Sequence, residues 1–195
     1  MILIAPVTLN GIHATLEPLA AEHHDALVNA ASDGELWKLW YTTVPTPDNT
    51  RKYIETALDM RTRLGAMPFV VRDNNSGELV GCTRFFNVDA INRRIEIGST
   101  WYAARVQRTA INTECKLLLL THAFETLSCI AVEFRSHWMN HASRNAIARL
   151  GAKQDGVLRN HSIMPDGSYR DTVVFSIIES EWPMVKRHLQ YKLNR

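Results

Sequence analysis

The stretch Tyr102-Ala103-Ala104-Arg105-Val106-Gln107-Arg108-Thr109-Ala110-Ile111-Asn112-Thr113 joins a strand-like run, Arg94 to Trp101, to a long helical pattern. A turn that opens a helix presents unpaired N–H donors and the positive end of the helix macrodipole, so this junction can hold a phosphate or diphosphate. Arg105 and Arg108 can add charge there. No GxxxxGK[ST] segment occurs, which sets a P-loop aside. His137 and His141 stand four apart, a helical metal spacing, but strand and turn residues fill much of that stretch and no third ligand is identifiable, so no metal is expected. Cys82, Cys115 and Cys129 are odd in number and lack any CxxC spacing, which fits a reduced compartment better than a disulfide framework.

A further set of segments recurs in one order across the last hundred or so residues: Ile95-Glu96-Ile97-Gly98, Gln107-Arg108-Thr109-Ala110-Ile111-Asn112, His122-Ala123-Phe124-Glu125, Asn140-His141-Ala142-Ser143-Arg144-Asn145, Leu150-Gly151-Ala152, Asp155-Gly156-Val157-Leu158-Arg159 and Asp166-Gly167. In order and spacing they resemble the GCN5-related N-acetyltransferase superfamily, in particular the branch similar to bacterial ribosomal-protein N-terminal acetyltransferases. The sequence departs from the family's [Gln or Arg]-x-x-Gly-x-[Gly or Ala] loop pattern by placing Ala110 and Asn112 where small residues, usually glycine, let the backbone approach a diphosphate. That departure is where an inactive or altered-ligand version would show itself.

The resemblance implies acetyl transfer from acetyl-CoA to an amine by direct attack in a ternary complex. It implies a splayed pair, Glu96 to Trp101 against Ile130 to Ser136, with Ile97, Gly98 and Ser99 beside the pantetheine arm and Gln107, Arg108, Thr109, Ala110, Ile111, Asn112 and Thr113 at the diphosphate. Asn140 matches a position that contacts the pantetheine, and Ser143 one that some members use as the acid for the leaving thiolate; the bland alternative is that both simply begin a helix, with Asn140 as its cap. Glu96 matches a recurring acidic position that can serve as the base through water, against the alternative of an outward-facing carboxylate paired with Arg84, Arg93 or Arg94. Glu133, His137 and His161 are the other candidate bases, and an α-amine of low pKa needs none. Trp37, Trp40, Tyr41, Arg84, Phe85 and Trp138 form a candidate acceptor wall, with core packing as the competing reading. The favoured acceptor is an α-amino group of a protein, peptide, amino acid or aminoacyl compound. A catalytically silent acyl-CoA-binding module and an antibiotic or polyamine acetyltransferase are the alternatives.

The elements that must position these residues follow from periodicity and turn chemistry. His13 to Leu19 reads as a strand and Ala20 to Ala31 as a helix; a second helix starts at Thr46 to Asp48 and stops at Gly65. Strands follow at Pro68 to Arg72, Leu79 to Phe86 and Arg94 to Trp101, the first two joined by Asn74-Asn75-Ser76-Gly77. Asn112 is expected to cap a helix that runs to Leu127, with Leu117, Leu120, Ala123 and Phe124 buried and Lys116 and Glu125 facing solvent. A strand at Cys129 to Arg135, a helix at Ala142 to Leu150, a hairpin around Pro165-Asp166-Gly167 and a final helix capped by Ser180 complete the order. The class is α/β of the α+β type. With the resemblance this becomes the acyl-CoA N-acyltransferase fold, a mixed, mostly antiparallel twisted sheet with helices on both faces and a splayed central strand pair.

With 195 residues, no linker and no repeat, one domain spanning residues 1–195 is expected. A formal charge of +2 supplies no strong field for nucleic acid or an anionic membrane, so neither is an expected partner. The start, MILIAPVTLNGIHATLEPL, lacks a basic region and a full signal core, and the cytoplasm is the default location. The partner implied is an amine-bearing small molecule or a polypeptide N-terminus, and a homodimer is compatible with all of this.

Overall fold

The computed structural model describes residues 5–195. Its strands are β1 (Leu9–Asn10), β2 (Ala14–Pro18), β3 (Met67–Asp73), β4 (Leu79–Asp89), β5 (Arg94–Tyr102), β6 (Ala131–His137), β7 (Lys153–Ile163) and β8 (Tyr169–Ile178). The helices are α1 (His24–Ser32), α2 (Thr50–Leu64), α3 (Ala110–Thr121), α4 (His141–Ala148) and α5 (Trp182–Leu193). The strands form one sheet in the order β1-β2-β3-β4-β5-β6-β8-β7. Every neighbouring pair is antiparallel except β5–β6, which is parallel because α3 carries the chain back across the sheet between them.

Local chemistry explains most boundaries. Pro47 sits in a short 3-10 turn, Pro47–Asn49, that leads into α2, and Gly65 ends that helix at φ 64°, a left-handed conformation that costs glycine nothing. At the β3–β4 turn the Asp73 carboxylate accepts the Asn75 N–H at 3.0 Å, and Gly77 closes the turn with an N–H to the Asp73 carbonyl at 2.8 Å. Two expected caps move. Thr109, in extended backbone, caps α3 by accepting the Ile111 N–H, while Asn112 lies inside the first turn. The final helix follows a 3-10 turn, Glu179–Glu181, in which the Glu181 carboxylate, not Ser180, accepts the Ile178 N–H at 3.4 Å. The α-helical hydrogen bonding of α3 also stops at Thr121 and widens into a π-turn over His122–Thr126.

Helices cover both faces. Along β4, Thr83 and Phe85 point toward α3 and its extension: Lys116 donates to Thr83, and the Phe85 ring lies 6.1 Å from His122. Arg84 points the other way, against Met60 and Tyr53 of α2. The alternation of a strand therefore puts α2 and α3 on opposite sides. Phe69, Phe85 and Phe134 are fully or almost fully buried between these layers, each worth about 2–3 kcal/mol relative to exposure. Lys116 is not on the solvent side: it is 5% exposed, beneath the sheet.

Candidate functional site

The ladder between β5 and β6 holds for three positions, Arg94↔Ala131, Ile95↔Val132 and Glu96↔Glu133, and then ends. From Ile97 onward β5 stays with β4, while β6 stays with β8 as far as His137↔Thr172. The cause is visible on β5. Arg84 pairs with Gly98 and Cys82 with Trp101, so Ser99 and Thr100 together oppose Thr83, a bulge with Ser99 at φ 48°. An extra residue bends its strand and increases the local twist, turning β5 from its parallel neighbour. The result is a gap whose β5 side carries main-chain N–H and C=O groups with no β6 partner.

Glu96 stands where the gap opens. It is 4% exposed, its carboxylate accepts from Asn87 Nδ2 at 2.8 Å, and Arg135 Nε lies 3.5 Å away. Burial pushes its carboxyl above the ordinary value, and the Asn87 hydrogen bond and the Arg135 charge oppose that rise without cancelling it. The pairing partner is thus Arg135, in place of Arg84, Arg93 or Arg94. Among the alternative bases, Glu133 is tied up by Arg135 at 2.5 Å and Arg94 at 3.4 Å. His161 is exposed, with Nδ1 3.1 Å from Thr172 Oγ1. His137 is buried on the same face as Glu96, and burial lowers its pKa.

The junction before α3 is built as an anion site would need. Gln107 Nε2 donates to the Tyr102 carbonyl at 3.0 Å, Arg108 is left-handed at φ 64°, and Thr109 Oγ1 donates to the Val106 carbonyl at 2.7 Å. The N–H groups of Arg108 and Thr109 have no protein acceptor among the described residues. Together with the first turn of α3, formed by Ala110, Ile111, Asn112 and Thr113, they make donors that fit a diphosphate. Arg108 is exposed, and Arg105, also exposed, pairs with Asp33 at 2.9 Å and Glu78 at 2.8 Å, which offset its charge.

Sequence reasoning missed the anchor of this junction. Glu114 is 5% exposed, and its carboxylate accepts the N–H groups of Ile12, His13 and Ala14 at 2.9, 2.6 and 2.7 Å. Three such bonds to one carboxylate fix the N-terminal half of α3 to the β1–β2 turn. Gly11 permits the approach, since a Cβ there would lie 2.5 Å from that carboxyl group. A lone carboxylate at Glu114, beside Cys115 and ahead of the apolar run Leu117–Leu120, was the available signal.

At the end of β6, Asn140 accepts the Ser143 N–H at 3.0 Å and so caps α4, leaving its amide NH2 for other partners. Ser143 is half-buried in the first turn. The expected acceptor wall divides. Trp40 and Tyr41 reach the His137 ring, with centroids 5.0 and 6.2 Å away, and stand at the open face. Trp37 packs half-buried against the core, and Phe85 is wholly buried on the α3 side, so Phe85 is core and not wall. Arg84 is 6% exposed, its guanidinium over the Tyr53 ring at 5.4 Å. One face of Trp138 is covered by Arg144 at 4.3 Å. Ile97 is 2% exposed as a whole residue, so its side chain belongs to the core. His141 is exposed at the start of α4, and no cluster of three or more His, Cys, Asp or Glu side chains suited to a metal ion occurs among the described residues. No helix among them is long and apolar enough to cross a membrane.

Comparison with known proteins identifies the architecture. The family model of the acetyltransferase (GNAT) domain matches residues 13–153. A Bacillus subtilis (strain 168) protein provisionally named ribosomal N-acetyltransferase YdaF is 29% identical over 169 residues, covering 86% of this chain and 90% of its own. A GCN5-related N-acetyltransferase from Brucella melitensis superposes with a TM-score of 0.87 at 33% identity, covering 98% of this chain and 87% of that one. An acetyltransferase structure from T. thermophilus gives 0.85 at 31% identity, with 97% and 98% covered. The parted β5–β6 pair, the donor-rich start of α3 and these matches lead to one conclusion: the chain belongs to the GNAT acetyltransferase family and is an acetyl-CoA-dependent N-acetyltransferase.

Proposed function

We propose that this protein acetylates an α-amino group, carried by a polypeptide N-terminus, an amino acid or an aminoacyl compound, by direct attack within a ternary complex in the cytoplasm. The observation that carries the reading is the end of the β5–β6 ladder directly at Glu96, which sets a buried carboxylate beside a gap lined by free main chain. Acetyl-CoA supplies the acetyl group as an activated thioester. The main chain of Ile97, Gly98 and Ser99 and the amide of Asn140 would hold the pantetheine arm, and the stretch Gln107 to Thr113 the diphosphate.

Three tasks then fall to the chain. Glu96, whose burial raises its carboxyl above the ordinary value and so strengthens it as a base, takes the ammonium proton directly or through water, and Asn87 and Arg135 keep its carboxylate in place. An N–H of the unpaired stretch of β5 can stabilise the oxygen as negative charge develops, without reorganising in the step. Ser143 gives its hydroxyl proton to the departing thiolate and takes one back, through water, from the nitrogen of the collapsing intermediate, which must shed it as the amide forms.

The name of the Bacillus relative supports a ribosomal-protein acceptor as one member of the class. Arg135 and Arg170 beside Glu96 weigh against a polycationic antibiotic or polyamine. Thiol release from acetyl-CoA, measured across N-terminal peptides, free amino acids, polyamines and aminoglycosides, tests the reading. Turnover confined to α-amines supports it, and turnover of polyamines or aminoglycosides in their place overturns it. Binding of CoA with no turnover of any amine would establish a silent module instead.

A further inference from the structure

Side chains directly opposite one another in a ladder share a face, and so do alternate residues along a strand. On β6 these are Glu133, Arg135 and His137; across from His137 on β8 is Thr172, with Arg170 two residues before it. Glu96, opposite Glu133, joins them from β5. The acyl-transfer gap therefore opens onto a polar face in which Arg94, Arg135 and Arg170 stand against two carboxylates, Glu96 and Glu133. Of the three arginines, Arg94 and Arg135 pair with those carboxylates.

Arg170 does not. No carboxylate of the described residues lies within 4 Å of its guanidinium, and its one side-chain bond runs from Nε to Thr172 Oγ1 at 3.1 Å. The other carboxylates on β7 and β8 are spoken for: Asp171 holds Arg159 and the Asn160 N–H, and Asp155 accepts from Ser176. Burial disfavours the charge of Arg170, which the more distant Glu96 only partly offsets.

His137 adds a second donor. It is 5% exposed, and its Nδ1 accepts the Met139 N–H at 3.0 Å. A neutral imidazole that accepts at Nδ1 carries its proton on Nε2. That Nε2 is buried and has no hydrogen-bond partner among the described residues. Trp40 and Tyr41 pack on one side of the ring, and Thr172, the residue that Arg170 holds, lies across the ladder from it. A buried donor without an acceptor beside a half-buried arginine without an acid is a pair of unmet demands that one ligand carboxylate satisfies.

We infer that Arg170 and His137 form a carboxylate-binding subsite, so that the preferred acceptor carries a carboxylate close to its reactive amine. The inference rests on the reading of this face as the acceptor side. The carboxylate can come from a free acidic amino acid or from an acidic side chain near a peptide N-terminus. The two share the chemistry, and separate arms of the experiment distinguish them.

The kinetic arm compares glutamate α-amide with glutamine α-amide, and the C-terminally amidated peptide Ser-Glu-Ala with Ser-Gln-Ala, so that the side-chain carboxylate is the only acid, as acceptors for the wild type, Arg170→Gln and Arg170→Lys. The acidic member of a pair is expected to have a kcat/KM at least about 10-fold above its amide, a ratio worth one charge-assisted hydrogen bond. Arg170→Gln brings the ratio to about 1 by raising KM for the acidic acceptor, and Arg170→Lys retains part of it. Equal values in the wild type, or an equal loss on both members in Arg170→Gln with none restored by Arg170→Lys, overturn the inference.

The binding arm needs no turnover. N-acetylglutamate α-amide and N-acetylglutamine α-amide are titrated calorimetrically into protein saturated with CoA. Tighter binding of the acid, lost in Arg170→Gln, supports the subsite, and equal binding overturns it. Acid-selective binding without acetylation of any α-amine would refute the proposed amine and leave the subsite standing.

Discussion

Lys116→Met offers the sharpest test of how this sheet is held. The Lys116 ammonium is buried beneath β4 and β5, donates to Thr100 Oγ1 at 2.8 Å and Thr83 Oγ1 at 3.3 Å, and has no carboxylate of the described residues within 4 Å. Desolvation lowers its pKa from 10.5 to about 8. At about 1.4 kcal/mol for each tenfold change in proton affinity, that fall corresponds to a folding penalty of about 3 kcal/mol while the amine is charged. The sign follows from proton counts. Between about pH 8 and 10.5 the unfolded chain keeps the proton that the folded chain has released, so stability rises with pH through that window; below about pH 8 the penalty is present in full. Methionine keeps the length and apolar stem of lysine, and the two threonine hydroxyls remain bonded to each other at 2.8 Å. Lys116→Met is therefore expected to be more stable than the wild type by about 2–3 kcal/mol at pH 7. The advantage should shrink by a similar amount by about pH 10.5, as the wild-type lysine discharges. Urea melts of both proteins at pH 7, 8, 9 and 10.5 measure it, because the difference between them removes the titration of every other group. A difference that does not change with pH would refute the reasoning, as would a variant destabilised by several kcal/mol throughout.

Glu96→Gln should lower kcat by about 10²–10³-fold with the Kd for acetyl-CoA unchanged. In the wild type kcat should fall as pH drops through the raised Glu96 pKa, because only the ionised carboxylate accepts a proton; this acid limb disappears in Glu96→Gln, and stopped-assay pH profiles of both proteins check it. Ser143→Ala should depress turnover more than acetyl-CoA binding; an unchanged kcat in a chemistry-limited assay would remove Ser143 from the thiolate step. Glu114→Ala leaves the N–H groups of Ile12, His13 and Ala14 without their acceptor and should cost about 3 kcal/mol. Hydrogen exchange of those three amides should accelerate more than exchange in β6 and β8.

Much of the fold is written locally. Pro47 leading into α2, Gly65 at its end, the Asp73–Gly77 turn and Gly167 at φ 85° each depend on the conformational range of one residue, and alternation suffices for the strands. The motif from Gln107 to Thr113 and the pair Asn140 and Ser143 were likewise legible, and the structure sets them at the starts of α3 and α4. What sequence could not give is whatever depends on a partner far along the chain. Periodicity places Lys116 toward water, but α3 lies flat beneath β4 and β5, and two threonines from those strands receive the ammonium. Asn112 has a capping side chain, yet Thr109 takes the role because the helix begins three residues earlier, at Ala110. The bulge at Ser99 leaves no mark in the residue types, since it is a matter of register between two strands, and it is the bulge that parts β5 from β6. Glu96 could be read as a surface carboxylate or as a base from its strand alone. Only the joining of β5, β6 and β8 into one sheet buries it, supplies Arg135, and leaves Arg170 and His137 facing the gap with donors to spare.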